Sequence, residues 1–415
     1  MKRLLLGLVL VSVAGLLQRA PVVRAATTPS FGQPAATELT GFVREAVARG
    51  SIPGAVVAVV NRDGVMYHEA FGMMNAAGKV AMTKDAIFNI ASMTKPVTSV
   101  AIMMLVEEGR LKLDDEVSTY LPKYANPVVL TNVNQADGTY QTRPAKRAIT
   151  IKHLLTHTSG IGYTFASPTL TAVLAKSGKN ELDAPLLLLF DPGESWAYGA
   201  STRVLGQVVE AISGQRIDAF LESRILRPLG MRDTAYAVPQ DKYSRVVTTF
   251  SRTNGTLVER PVPATLPANV AGDGGLYSTA ADYGLFIRML LNEGRLGATR
   301  IVSERTVKTM FQSNTGSVVV QPQPTANPVL SKPFPLGAGE DKWGLGFQLA
   351  NPKVKKPNTR STGSGTWAGI FNTHFWVDPS KEIGVVVMMQ MLPFYDDDAM
   401  KVLAGVEERV YKNLR

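Results

Sequence analysis

The stretch Asn89-Ile90-Ala91-Ser92-Met93-Thr94-Lys95-Pro96 decides how this chain is read. Ser92 and Lys95 are three positions apart and share a face wherever the backbone is helical. Pro96 has no N–H and clashes inside a helix, yet it is tolerated in a first turn, where the donors are unpaired anyway. The spacing therefore predicts a helix that begins close to Ser92. The hydroxyl then sits at the positive end of a helix dipole, beside free backbone N–H groups. A hydroxyl is a weak nucleophile until a base removes its proton. Lysine serves as that base when burial lowers its pKa, because desolvation disfavours the ammonium form. Ser-x-x-Lys taken alone is also the pattern of an ordinary surface pair, so its setting carries the weight.

That setting is a buried one. From Pro96 to about Gly109 the apolar residues Val97, Val100, Ala101, Met104 and Leu105 recur at helical spacing, which predicts a buried helix stopping at Glu108-Gly109. Upstream, the apolar run Ala55 to Val60, the turn Asn61-Arg62-Asp63-Gly64 and the run Val65 to Phe71 predict a strand hairpin. The pattern returns near the C-terminus as Ile370 to Val377, Asp378-Pro379-Ser380-Lys381 and Ile383 to Gln390. One sheet built from both ends of the chain is expected. Between them, helices are predicted at Ile151 to His157, Val204 to Ser213 (closed by Gly214) and Ile217 to Ile225. A further helix, Ala280 to Asn292, has Ser278 or Thr279 as N-cap and Gly294 beyond its end. Asn132 to Arg147 and Ser313 to Gly339 are expected to be long loops that shape a pocket. There is no internal repeat.

Composition narrows the field. The chain has 415 residues, 45% apolar and 19% charged, which fits a globular protein with a real core and excludes a disordered one. The absence of cysteine excludes a thiol nucleophile, a Cys-ligated metal and any disulfide. The formal charge is +10, and Lys2, Arg3, Arg19 and Arg24 account for four of it, leaving +6 on the rest. Those basic residues are scattered, whereas a nucleic-acid footprint is clustered, so no nucleic-acid partner is expected. Lys2 and Arg3, the apolar run Leu4 to Leu17 and the small residues at Ala25-Ala26 have the layout of a secretory signal peptide over residues 1–26. The apolar run is too short to span a bilayer, and no later segment qualifies. An exported mature protein, periplasmic or secreted, with no membrane span is expected.

The Asn89 to Thr98 stretch resembles the nucleophile motif of class C β-lactamases, penicillin-binding D,D-carboxypeptidases and family VIII carboxylesterases. The resemblance extends through four more ordered blocks: Ile151 to Ile161 (IKHLLTHTSGI), Pro192 to Ser201 (PGESWAYGAS), Pro228 to Thr234 (PLGMRDT) and Gly272 to Asp282 (GDGGLYSTAAD). It implies an α+β fold of the β-lactamase/transpeptidase type, an antiparallel sheet flanked by helices with an inserted, mostly helical region. The sheet region is expected at 27–110 and 271–415, and the helical one at 111–270. The resemblance assigns proton transfer to Tyr198 beside Ser92 and Lys95. A phenol and an amine in one pocket share a proton, and a neighbouring ammonium stabilises a phenolate. Trp367-Ala368-Gly369, placed just before the strand at Ile370, is similar to the Trp-Gly-Gly form of the third family motif in the esterases. By the same resemblance the backbone N–H groups of Ser92 and Ile370 form an oxyanion hole. Trp367 walls the acyl pocket, and Gly369 lets the backbone approach the substrate.

Two departures bear on substrate. The β-lactamase pattern Tyr-x-Asn reads Tyr198-Gly199-Ala200 here, and the Lys of Lys-Thr-Gly is missing. Both lost side chains engage the amide and carboxylate of a β-lactam or peptide, which moves the expectation towards carboxylic esters as small-molecule substrates. A β-lactamase or D,D-peptidase, an acyltransferase, and a non-catalytic penicillin or cell-wall-peptide binder remain as alternatives. No cofactor or metal is called for. His153 and His157 are four apart, but no Glu or Cys completes a metal set, and a structural role is expected. The chain has no G-x-S-x-G elbow for a Ser–His–Asp triad. Gly272-Asp273-Gly274-Gly275 reads as a turn of close backbone approach, not as a dinucleotide fingerprint.

Overall fold

The computed structural model describes residues 29–266 and 268–415. The signal-peptide reading lies outside the described residues. An eight-stranded antiparallel sheet forms the backbone of the fold. Its spatial order is Lys342–Trp343, Gln348–Leu349, Gly365–Gly369, Thr373–Asp378, Ile383–Met388, Gly54–Asn61, Val65–Asn75 and Val80–Ala81. The join between the two ends of the chain is the pairing of Gly54–Asn61 with Ile383–Met388, in which Val57 faces Val387 and Val59 faces Val385. Both strands are buried along their whole length. They read as continuous apolar runs because helices cover both faces. Ala55, Val57 and Val59 pack with Leu39, Val43, Val402 and Val406 of the Gln33–Ala48 and Asp397–Asn413 helices. Val56, Ala58 and Val60 join the main core on the other face.

The main core is organised around the Thr94–Glu107 helix, every residue of which is buried from Thr94 to Leu105. Pro96 occupies its first turn, and Gly109 ends it in a left-handed conformation, as the sequence predicts. The Ser201–Ser213 helix, closed by left-handed Gly214, packs beside it, and the Ala280–Leu291 helix, capped by the Thr279 side chain, lies on the sheet against Gly54–Asn61 and Ile383–Met388.

Three expectations need correction. Trp367-Ala368-Gly369 does not precede a strand; it belongs to one, Gly365–Gly369. Ile370 to Asn372 then form the turn into Thr373–Asp378, with the Asn372 N–H bonded to the Gly369 carbonyl at 3.0 Å and Asn372 at φ +59°. The Asn132 to Arg147 segment contains a strand, Gln141–Pro144, paired with Val128–Thr131. The Ile217 helix stops at Leu221 and continues as a wider turn over Glu222–Leu226.

Candidate active site

Ser92 lies in a 3-10 turn, Ala91–Met93, that feeds directly into the Thr94–Glu107 helix. The turn is held from several sides. Phe88–Asn89 pairs with Tyr277–Ser278, and the Ile90 N–H donates to the Leu276 carbonyl at 3.0 Å. Ala91 adopts φ +42°, which costs a non-glycine residue about 1–3 kcal/mol. The Asn89 side chain compensates by accepting the Ala91 N–H at 3.0 Å. Gly369 presses against the same turn, and a Cβ there would lie 2.3 Å from the Ile90 carbonyl oxygen. The strained bend thus presents Ser92 at the N-terminus of a buried helix.

Lys95 is 2% exposed, with Nζ 3.0 Å from Ser92 Oγ and donating to the Asp273 carbonyl at 2.7 Å. Burial depresses its pKa to about 7; the nearby Asp273 carboxylate opposes this and Arg203 reinforces it. The Lys95 ammonium position also lies 4.8 Å from the centre of the Tyr198 ring and 5.3 Å from that of Tyr163. Tyr198 is delivered by a loop laid against residues 157–161: the Ala197 N–H bonds the His157 carbonyl at 3.0 Å, and a Cβ on Gly199 would lie 2.0 Å from the Ile161 carbonyl. Its hydroxyl accepts the Trp367 indole N–H at 3.3 Å and has Ser92 as a second hydrogen-bonding neighbour. Burial outweighs both and pushes the phenol well above its usual range, so Tyr198 rests neutral. The three predicted side chains therefore meet, as amine, alcohol and neutral phenol. A resting phenolate does not form, because desolvation penalises it and Lys95, its own pKa depressed to about 7, carries only a partial compensating charge near neutral pH.

The cleft over these residues has a volume of about 430 Å³. Its wall is aromatic and apolar (Tyr163, Phe165, Phe334, Trp367, Ile370, Phe394), with Arg203, Glu181, Asn89 and Asn269 supplying polar atoms. Trp367 and Ile370 line it as expected. Gly369 is not among the lining residues; its missing side chain serves the approach to Ile90. Ala200 is fully buried and brings no polar atom to Lys95. The Asn132 to Arg147 segment contributes nothing to the lining, whereas Ser313 to Gly339 contributes Phe334 and places Gln323 against the Tyr198 backbone, two residues that sequence reasoning missed. Phe334 stands edge-on to Tyr198 at 5.5 Å. Buried Gln323 accepts the Tyr198 N–H at 3.0 Å and is fixed by paired backbone bonds with Phe334. The histidines do not converge. His153 Nδ1 accepts the Thr150 N–H at 3.1 Å in a capping box, and His157 is buried edge-on against Trp343 at 5.1 Å.

The β-lactamase family model matches residues 39–406. Protein Rv1367c of Mycobacterium tuberculosis is 32% identical over 378 residues, 88% of this chain and 92% of its own. The lovastatin esterase of Penicillium rubens is 30% identical over 384 residues, covering 86% and 93%. Among solved structures, a mutant of the simvastatin synthase LovD from Aspergillus terreus matches with a TM-score of 0.78 and 27% identity over 92% of this chain and 95% of that one. With the sheet, the helices and the Ser92 cleft described above, these matches place the chain in the β-lactamase family, as a serine hydrolase of that fold.

Proposed function

We propose that the protein is a carboxylic ester hydrolase working through an acyl-enzyme on Ser92. The observation that carries this is the Lys95 amine, buried, about half neutral near pH 7, and 3.0 Å from the Ser92 hydroxyl. In its neutral form the amine accepts the Ser92 proton as Oγ attacks the ester carbonyl. The negative charge that develops on the carbonyl oxygen is met by the Ser92 and Ile370 N–H groups. Tyr198 relays the proton: it gives its hydroxyl proton to the departing alkoxide and takes the proton held on the Lys95 ammonium, so the phenol and the amine are both neutral again once the alcohol leaves. The alcohol leaves, water attacks the acyl-Ser92 ester by the reverse path, and the acid is released. An ester rather than a β-lactam is favoured because Ala200 and Trp367-Ala368-Gly369 offer neither an amide partner nor a carboxylate-binding lysine.

The test is a comparison of kcat/KM for a p-nitrophenyl ester series of increasing acyl length with that for nitrocefin. Esters are expected to be preferred by at least about 100-fold, the scale on which a missing polar partner discriminates. A preference for nitrocefin overturns the ester reading. Acyl transfer is the second reading, favoured by the match to LovD, the simvastatin synthase. Here an alcohol in the apolar cleft outcompetes water, and product analysis with an added alcohol acceptor reveals it.

Export rests on the N-terminal sequence. Intact mass of the protein recovered from the periplasm or medium is expected to show a chain beginning near Thr27. Recovery of an uncleaved chain from the cytoplasm would refute it.

A further inference from the structure

Asp273 carries the only side chain in the run Gly272-Asp273-Gly274-Gly275. A Cβ on Gly272 would lie 2.5 Å from the Thr202 carbonyl, and Gly275 has φ +103° with the Asn269 carbonyl 1.8 Å from the Cβ position. Three glycines in four residues give the turn a large conformational entropy to lose and little to hold it. Its backbone nonetheless has an exacting task. The Asp273 carbonyl accepts the 2.7 Å bond from Lys95, and the Gly272 carbonyl accepts Thr98 Oγ1 at 2.7 Å. The Asp273 side chain supplies the missing anchorage. It is 4% exposed and accepts the Tyr163 hydroxyl on one oxygen and Arg203 Nε, at 3.1 Å, on the other. Arg203 in turn meets Glu181 at 3.6 Å.

We propose that Asp273 is a positioning residue for the base: clamped by Tyr163 and Arg203, it fixes the peptide carbonyl that holds Lys95 and so aims the amine lone pair at Ser92. The inference rests on the acyl-enzyme reading. A neutral amine has two N–H donors and one lone pair. With one N–H committed to the Asp273 carbonyl, rotation about the Cε–Nζ bond is restricted and the lone pair stays directed at Ser92 Oγ. Movement of the turn would rotate the amine and spoil proton transfer.

The clamp also has an electrostatic signature. The titratable groups around Lys95 are Tyr163, Tyr198, His157, Asp273 and Arg203. Burial holds the two phenols and His157 neutral. The Asp273 carboxylate and the Arg203 guanidinium act on Lys95 in opposite senses.

The experiment measures the rate of Ser92 labelling by a fluorophosphonate against pH. This reads the nucleophile without the natural substrate, so a failed ester screen and a failed positioning role give separate results. Asp273→Asn is expected to label about 10–100-fold more slowly at pH 8, the scale of a sub-ångström misplacement. Its acidic limb should move to lower pH, because the anion that favoured the ammonium is gone. Arg203→Gln should move that limb to higher pH. Tyr163→Phe keeps the charges and deletes one clamp bond; it should slow labelling at least about threefold with the limb unmoved, and it decides the matter if Asp273→Asn does not fold. Labelling within twofold of the parent in the folded Asp273→Asn or in Tyr163→Phe, or limb shifts of one sign in both charge variants, overturns the proposal.

Discussion

Ser92→Ala is expected to lower the hydrolysis of short-chain p-nitrophenyl esters by about four to six orders of magnitude, the loss seen when the nucleophile of a cooperating unit is removed. The fold should be untouched. Ser92 Oγ bonds Lys95 at 3.0 Å and neighbours Tyr198, and the turn is held by the Asn89 side chain, the Leu276 carbonyl and the contact with Gly369. None of those restraints involves the hydroxyl. The melting temperature should therefore stay within a degree or two of the parent's, and the cleft should still bind ester. A variant that keeps a tenth of the parent's activity with the same pH profile would show that another group attacks the carbonyl. Fluorophosphonate mass labelling, present in the parent and lost in the variant, ties the loss to residue 92.

The parts of this structure that were legible in the sequence are those where one local rule dominates. The paired strands Gly54–Asn61 and Ile383–Met388 read clearly because two-sided burial demands unbroken apolar runs. The Thr94–Glu107 helix read clearly because Pro96 limits where it can begin. The strand boundary at Ile370 failed for a reason tied to the site. Ile370 and Phe371 are apolar because they line the cleft, not because they extend a strand, and only Asn372 at φ +59° hints at the turn. Gln141–Pro144 was missed because a strand with little buried surface shows no alternation. The Asp397–Asn413 helix went unread although its signal was present. Asp396 caps it, and Val402, Val406 and Val410 recur every four residues on its buried face.

The site divides in the same way. Ser92, Lys95 and Tyr198 sit in blocks whose pattern is carried along the chain. Gln323 and Phe334 had no such signal, since their contact with Tyr198 is made across more than a hundred residues by a segment without helical or strand periodicity. Asp273 lies between. The glycines around it announced a close backbone approach, correctly, while the partners of its carboxylate, Tyr163 and Arg203, come from two separate elements.

Lys95→Met is expected to abolish ester hydrolysis to within about a hundredfold of the Ser92→Ala level and, at the same time, to make the protein more stable at pH 7. Both effects come from one number. The folded pKa of Lys95 is about 7 against an ordinary value of 10.5. Between those values the unfolded chain binds a proton that the folded chain does not, so parental stability rises with pH across that window. Below about pH 7 both states are protonated and the full deficit remains, on the order of 3–5 kcal/mol for a shift of this size. Methionine fills a similar volume and carries no charge to desolvate. It also leaves the Asp273 carbonyl without its donor, which costs about 1–3 kcal/mol. The balance favours the variant by about 1–3 kcal/mol at pH 7, seen as a melting temperature higher by a few degrees, and the advantage should vanish or reverse near pH 10. The parent's kcat/KM should rise with pH through about 7 and then level off, because only the unprotonated amine can accept the serine proton. If Lys95→Met melts lower than the parent at pH 7, or if parental activity falls as pH rises through 7, the amine is not the neutral base that its burial requires, and the proton path from Ser92 must run elsewhere.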